Sequence, residues 1–246
     1  KAIRRQRQMC IRDRFHDYAP NGLQVEGTRE VKHIVLGVSA SLGLIDEAAR
    51  RGADVVLVHH GWFWKGESPR IAGVKGCRIR HLMQSGMHLV GYHLPLDAHE
   101  TVGNNAELAR VLGLTIESRH GEYGLLHVGE IISGAMLAAD FAQRVNAALG
   151  RAPLLVGDAQ KIVRRIGWCS GAAQDELAAA AALGCDLYLS GEIREHTTFE
   201  AIESGVPYLA AGHTATEQFG IQALGRHLQK VFPDLEIEYV PQDNPV

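Results

Sequence analysis

The sequence predicts an α/β protein made of two similar lobes, and three observations carry that expectation. Val55–Val58 is a short β-branched run without polar alternation, the pattern of a strand covered on both faces of a parallel sheet. The stretch VKHIVLGVSASLGLIDEAARRGADVVLVHH, starting at Val31, aligns without a gap with VRRIGWCSGAAQDELAAAAALGCDLYLSGE, starting at Val163. Each copy reads as strand, small-residue turn, helix, glycine and strand, which is one βαβ unit with its right-handed crossover.

Taken in order, the two copies match at positions that matter. Val31 falls on Val163, Ile34 on Ile166, Gly52 on Gly184 and Asp54 on Asp186. A further helix, a Ser-Gly pair (Ser85-Gly86 and Ser204-Gly205) and a third apolar strand follow in both. With one inserted residue, that strand ends in HLPLD (His93–Asp97) in the first copy and HTATE (His213–Glu217) in the second.

The polar strand ends therefore coincide. His59-His60 corresponds to Gly191-Glu192, and His93 with Asp97 corresponds to His213 with Glu217. Ligands of parallel sheets gather at the carboxyl ends of strands, so matching His and carboxylate residues there suggest one shared metal site. Imidazole and carboxylate without thiolate suit zinc, iron or manganese. Adjacent strand residues point to opposite faces, so His59 and His60 are expected where the strand has ended and the chain turns; the alternative is a hydrogen-bonded structural pair. Thr214 or Thr216 can cap a helix through FGIQALGRHLQKVF, with His213 at its mouth and Glu217 one turn on. Pro95 is expected to break any helix and leave Asp97 in a loop.

Composition narrows the classes. At 246 residues the chain can bury a sizeable core. No apolar run approaches the roughly 18 residues of a membrane span, and the basic start is not followed by a signal-peptide core; a cytoplasmic location is expected. Cys10, Cys77, Cys169 and Cys185 form no CxxC pair, which argues for reduced, mostly buried thiols. Residues 1–14, KAIRRQRQMCIRDR, hold six basic residues and one acid out of 25 Lys+Arg and 28 Asp+Glu, so the rest is acidic. They are expected to be a non-native tag, and without them nucleic-acid binding is not expected. No GxSxG elbow and no phosphate-loop pattern occurs, which removes serine-hydrolase and P-loop chemistries.

YAPNGLQVEG (Tyr18–Gly27), VHHGWFWKGES (Val58–Ser68), GYHLPLDAH (Gly91–His99), GNNAELA (Gly103–Ala109) and AGHTATE (Ala211–Glu217) closely resemble YbgI-type proteins, the GTP cyclohydrolase 1 type 2 homologues or Ngg-interacting-factor-three-like family. The resemblance covers essentially residues 15–246. It implies two intertwined α/β lobes, two divalent ions between them with a carboxylate bridging, and a ring-shaped hexamer. Lobe 1 would span 15–120, with 214–246 packing back on it, and lobe 2 would span 121–213. Carried over by motif, the metal ligands would be His59, His60, Asp97, His213 and Glu217. The resemblance also implies that the long domain inserted in some larger members is lacking here.

Glu192 and His196 remain as candidate catalytic residues. Glu192 is either a general base, a hydrogen-bonding anchor for a ligand histidine or a helix N-terminal acid; His196, four residues on and placed on the same helical face, is a candidate proton donor. His93 is placed near the site as a hydrogen-bonding partner. Trp62, Phe63 and Trp64 read as core or interface aromatics, and Asn21 and Gln24 as turn residues facing the cleft. The function expected is a dinuclear metal-dependent hydrolase acting on a small molecule, GTP or a related cyclic amide or nucleotide, by metal-activated water. The alternative is a non-catalytic metal-binding or metal-insertion protein, or an interaction scaffold.

Overall fold

A computed structural model of the chain describes residues 15–246. The expectation for residues 1–14, Cys10 included, lies outside the described residues. The described residues form two compact units, one running to residue 96 and joined by 221–243, and one of 97–220 with 244–246.

The first unit opens with β1 (Gly22–Val25), β2 (His33–Ser39), α1 (Leu42–Arg50), β3 (Val55–His60), α2 (Gly73–Gln84) and β4 (His88–Gly91). Ser41 caps α1 by accepting the Leu44 N–H at 3.2 Å. A four-residue turn of helix, α3 (Leu94–Asp97), follows. The second unit continues with α4 (Asn104–Leu112), β5 (Ser118–His120), β6 (Leu126–Glu130), β7 (Met136–Leu137), α5 (Ala138–Leu149), β8 (Leu154–Val156), β9 (Ile162–Val163), β10 (Arg165–Trp168), α6 (Leu177–Ala182), β11 (Leu187–Ser190), α7 (Glu195–Ser204) and β12 (Tyr208–Ala210). Helix α8 (His213–Val231) starts in the second unit and ends in the first, where β13 (Glu236–Tyr239) closes the chain.

In the first unit the sheet order is β1-β4-β3-β2-β13, parallel except for β1. Side-chain alternation sends Val35, Val56 and Val58 to one face, against Ile45 and Ala48 of α1 and Ile79 and Leu82 of α2. It sends Ile34, Leu36, Val55 and Leu57 to the other, against Ile221, Leu224 and Leu228 of α8. The absence of polar alternation is thereby explained: both faces of the strands are covered.

The second unit's main sheet runs β5-β6-β10-β11-β12-β8, with β10, β11 and β12 parallel and the flanking strands antiparallel. Ile166, Trp168, Leu187 and Leu189 pack with Phe141 and Val145 of α5 and Leu108 and Leu112 of α4. Tyr188 and Tyr208 pack on the opposite face with Leu177 and Ala180 of α6 and Ala201 of α7.

The duplication is visible atom by atom. Asp54 Oδ2 accepts the N–H groups of Lys32 and His33 at 2.9 Å each. Asp186 Oδ2 accepts those of Arg164 and Arg165 at 2.9 and 2.8 Å. Gly52 and Gly184, just after the matched helices, both take left-handed backbone, φ 75° and 74°. In each copy a carboxylate before the second strand satisfies the donors at the start of the first.

Two local expectations change. β3 does not end before its histidines: it remains paired through Ser39 and His60, although β4 has left its other flank after the pairing of Val58 with Gly91. Pro95 does not exclude a helix, because it stands in the first turn of α3, where its missing N–H has no helical acceptor in any case. Asp97 is consequently the last residue of a helical turn rather than part of a loop.

Removing the anchor of one repeat should destabilise the protein without altering its fold class. Asp54→Ala leaves two backbone donors without their acceptor, an expected cost of roughly 1–3 kcal/mol, and Asp186→Ala should match it within the error of urea melts. Burial acts to raise the Asp54 pKa, but the His33 and Lys32 N–H groups and the Arg29 charge hold it below its ordinary 3.8. The stability it supplies is thus present above that value and lost as pH falls through the lower folded value. Melts of Asp54→Ala and wild type should converge in strong acid; a constant gap down to pH 2 would contradict the assignment.

Candidate metal centre

Three histidines of the first unit, His59, His60 and His93, cluster where its sheet runs out. His59 is 1% exposed, and its Nδ1 donates to the Tyr92 carbonyl at 2.8 Å. A carbonyl only accepts, so the proton is on Nδ1 and the Nε2 lone pair is turned the other way. His60 Nδ1 stands 3.1 Å from the Ser39 hydroxyl, and the two rings are 4.5 Å apart at a 43° tilt. His93 completes the group: one nitrogen from each of His59, His60 and His93 lies within 4.8 Å of the other two, a grouping that could hold a metal ion.

Aromatics, the turn before β1 and β1 itself hold this cluster in place. Trp62 is buried and its indole N–H donates to Ala40 O at 2.9 Å, while Trp64 meets His93 edge to face at 4.9 Å. Gln24 accepts the Trp62 N–H at 2.7 Å, and Asn21 accepts that of His93 at 2.8 Å. The VHHGWFW segment is fixed from both sides.

In the second unit, α8 begins at His213 and brings Glu217 round one turn later, with His213 Nε2 3.1 Å from Glu217 Oε2. Neither threonine serves as a simple cap. Thr216 Oγ1 accepts the Gly171 N–H at 3.0 Å and lies 2.9 Å from Gly212 O and 2.8 Å from His213 O, with its single proton available to either; Thr214 takes an N–H from Asn244. Glu192 lies beyond His213, its Oε1 2.6 Å from Nδ1. The Tyr208 hydroxyl donates to the Glu192 carbonyl and steadies it. Gly171, in left-handed backbone, makes room: a Cβ there would come 2.2 Å from Glu217 Oε1.

Asp97 is held by residues that sequence reasoning did not single out. Asn104 Nδ2 donates to Asp97 Oδ1 at 2.8 Å, and Ser170 Oγ to the same oxygen at 3.3 Å. Asn104 Oδ1 accepts the Gly220 N–H, and Asn105 Oδ1 accepts that of Ser170. The adjacent asparagines Asn104-Asn105 in GNNAELA were the available signal, and both are fully buried at the start of α4. Asp17 was also missed: its carboxylate accepts from His93 Nδ1 at 2.6 Å and from the Leu94 N–H at 3.0 Å.

Of the candidate catalytic pair, Glu192 stands against His213. Helix α7 begins only at Glu195, so Glu192 and His196 share no helical face; His196, half exposed, faces Asp175 at 3.5 Å. Cys169 and Cys185 are buried free thiols and Cys77 is half-buried. No helix among the described residues is long and apolar enough to cross a membrane.

The donor chemistry fits divalent cations. Asp97 and Glu217 are 6% and 4% exposed, and carboxylates taken out of water need positive charge or strong donors around them. Ligand imidazoles in metal sites have their second nitrogen held by a carboxylate or carbonyl, as His213 and His59 do here.

The chain is similar to known proteins over nearly its whole length. A family described as Duf34/NIF3 (NGG1p interacting factor 3) matches residues 2–245. A "GTP cyclohydrolase 1 type 2 homolog" of Allochromatium vinosum is 49% identical over 233 residues, 94% of this chain and 91% of the relative. A Pseudomonas aeruginosa protein of the same name is 49% identical over 234 residues, covering 94% and 92%. The solved structure of a protein called ybgI, described as of unknown function, superposes with a TM-score of 0.90 at 43% identity, covering 98% of both chains. This chain belongs to the DUF34/NIF3 family.

Proposed function

We propose that the protein is a dinuclear, divalent-metal-dependent hydrolase in which His59, His60, Asp97, His213 and Glu217 hold two ions, zinc, iron or manganese. The observation that carries the proposal is His213, gripped at Nδ1 by Glu192 while Nε2 faces the buried Glu217 carboxylate. A bound pair of such ions supplies Lewis acidity and lowers the pKa of water at neutral pH. Glu192 acts first as a positioning residue, since its Oε1 is committed to His213; His196, with Asp175 behind it, exchanges protons with solvent. The name carried by the relatives supports GTP or a related cyclic amide or nucleotide as the substrate class. Family resemblance further supports a cytoplasmic ring-shaped hexamer.

Metal-loaded protein incubated with nucleotides, phosphoesters and cyclic amides, with products followed by mass spectrometry, tests the activity. Turnover that disappears on chelation is expected. Absence of turnover together with fast metal exchange would favour a metal-insertion protein or scaffold instead.

Glu217→Gln keeps the shape of the side chain and removes its charge. Elemental analysis should find fewer than two ions per chain in that variant, with an unchanged circular dichroism spectrum. Two retained ions would remove Glu217 from the ligand set.

His213 sets a pH dependence whose sign is fixed. Burial acts to lower its pKa, but the hydrogen bond and charge of Glu217, followed by those of Glu192, outweigh it and push the value from 6.5 up to about 9. In metal-free protein the resulting stability is complete below 6.5 and is lost as pH rises through about 9. A metal needs the Nε2 lone pair, so uptake displaces this proton and affinity rises across the same window. Calorimetry in buffers of different ionisation enthalpy should show proton release at pH 7.5, reduced in Glu192→Gln. Zero release in the wild type would exclude His213 as a ligand.

A further inference from the structure

The chain has three tryptophans, and their indole N–H groups have different fates. Trp62 is buried and donates to Ala40 O at 2.9 Å, and Trp168 is buried and donates to Asn105 O at 3.0 Å. Trp64 is half-buried, and its indole N–H has no acceptor among the described residues. The two core rings spend their single donor on the fold. Trp64 keeps its donor, and the ring surface that the fold leaves uncovered, for a molecule that binds beside it.

Its placement is held by strain. Phe63, immediately before it, takes left-handed backbone at φ 66°, a conformation that a bulky side chain adopts only where its surroundings impose it. That turn parts two neighbouring rings. Trp62 goes into the core, whereas Trp64 stands at the histidines that end β3, its ring centre 4.9 Å from that of His93 and 5.9 Å from that of His60. Lys75 Nζ lies 5.0 Å over the Phe63 ring and is itself held by Glu67 Oε2 at 2.9 Å and Ser68 O at 3.3 Å. The Glu67 N–H donates to Trp64 O at 3.0 Å and the Lys65 N–H to Tyr18 O at 2.6 Å, so the backbone that carries Trp64 is fixed. Bulk alone would be served by any apolar residue on an unstrained turn. Strain together with an unspent donor, beside a candidate metal-binding histidine, is the pattern of a preorganised ligand contact.

An indole offers a ligand a π face and one N–H donor, and no charge. A phosphate or an aliphatic amide gains little from a π face. A planar heteroaromatic ring stacks on it whatever its sequence of atoms, and carries acceptors for the N–H. We propose that Trp64 determines specificity by stacking a planar, nucleobase-like ring of the substrate beside His60. This rests on the hydrolase reading above and narrows it: of nucleotides, phosphoesters and cyclic amides, it selects molecules that carry such a ring.

The test is binding to the zinc-loaded full chain, read apart from turnover. Guanosine, adenosine and cytidine 5′-monophosphates are titrated beside ribose 5-phosphate, which lacks the ring, into wild type, Trp64→Leu and, as a control, Phe199→Ala, which removes an exposed aromatic of α7. At least one nucleotide should bind wild type more tightly than ribose 5-phosphate does. Trp64→Leu should lose about 10- to 100-fold of that nucleotide affinity and none of the ribose 5-phosphate affinity, and Phe199→Ala should match wild type. Indole ¹H–¹⁵N spectra of the wild type should show the Trp64 peak moving on nucleotide addition while those of Trp62 and Trp168 stay, a readout that does not depend on a variant folding. A wild type that binds no nucleotide better than ribose 5-phosphate, an unmoved Trp64 peak, or equal nucleotide affinity in Trp64→Leu would overturn the inference. Equal affinity together with a smaller assembly in sedimentation would assign Trp64 to a contact between copies instead. Ring binding without turnover of any compound would leave the inference standing and remove the hydrolase reading, whereas turnover of ring-free phosphoesters undiminished in Trp64→Leu would do the reverse.

Discussion

A sheet that is apolar on both faces has nowhere to put ionisable side chains except where its strands run out, and the rest of this structure follows from that constraint. β3 is covered on one side by α1 and α2 and on the other by α8, so Val55–Val58 admits no polar residue and the chain releases its chemistry only at His59 and His60. The second unit obeys the same rule, with Tyr188 and Leu189 buried on opposite faces of β11 and Gly191-Glu192 following at the strand end. Duplication of a βαβ unit therefore places two sets of strand ends under one rule, and the ionisable residues of both copies emerge there.

The second constraint acts on nitrogen atoms. An imidazole can donate from only one nitrogen and ligate from the other, so whichever group takes Nδ1–H decides where Nε2 points. Backbone does this for His59 through Tyr92 O, and carboxylates do it for His213 and His93. The burial of Asp97 against Asn104 and Ser170 is the carboxylate counterpart: donors on one oxygen fix the plane of the group. These partners set the orientation of the groups that they hold.

What was legible in the sequence was what is local or periodic. The aligned pairs Gly52 with Gly184 and Asp54 with Asp186 announced the duplication because turn geometry and strand-start donors restrict those positions to particular residue types. The i, i+4 spacing of His213 and Glu217 announced a shared helical face. Pro95 misled because its effect depends on where in a turn it falls, and α3 is a single turn. The expected shared face of Glu192 and His196 failed because the helix begins three residues after Glu192, a boundary that no capping side chain marks. Asp17 was illegible for a different reason: 76 positions separate it from His93, and no local pattern connects an acid in a turn to a histidine at a strand end.

The repeat explains why that anchor had to come from so far away. In the second copy the carboxylate that orients the histidine is Glu192, which occupies the repeat position of His60. In the first copy that position already carries an imidazole, so it cannot also supply the carboxylate for His93. At the position before it, His59 is matched by Gly191, where a Cβ would come within 2.7 Å of the His213 Cα, so the second copy has no room for the corresponding ring. The first copy therefore has the histidine pair without a local carboxylate, and the second has the carboxylate without the pair. The turn before β1, outside the repeat altogether, supplies Asp17 in its place and ties the start of the described chain to the strand end that it orients.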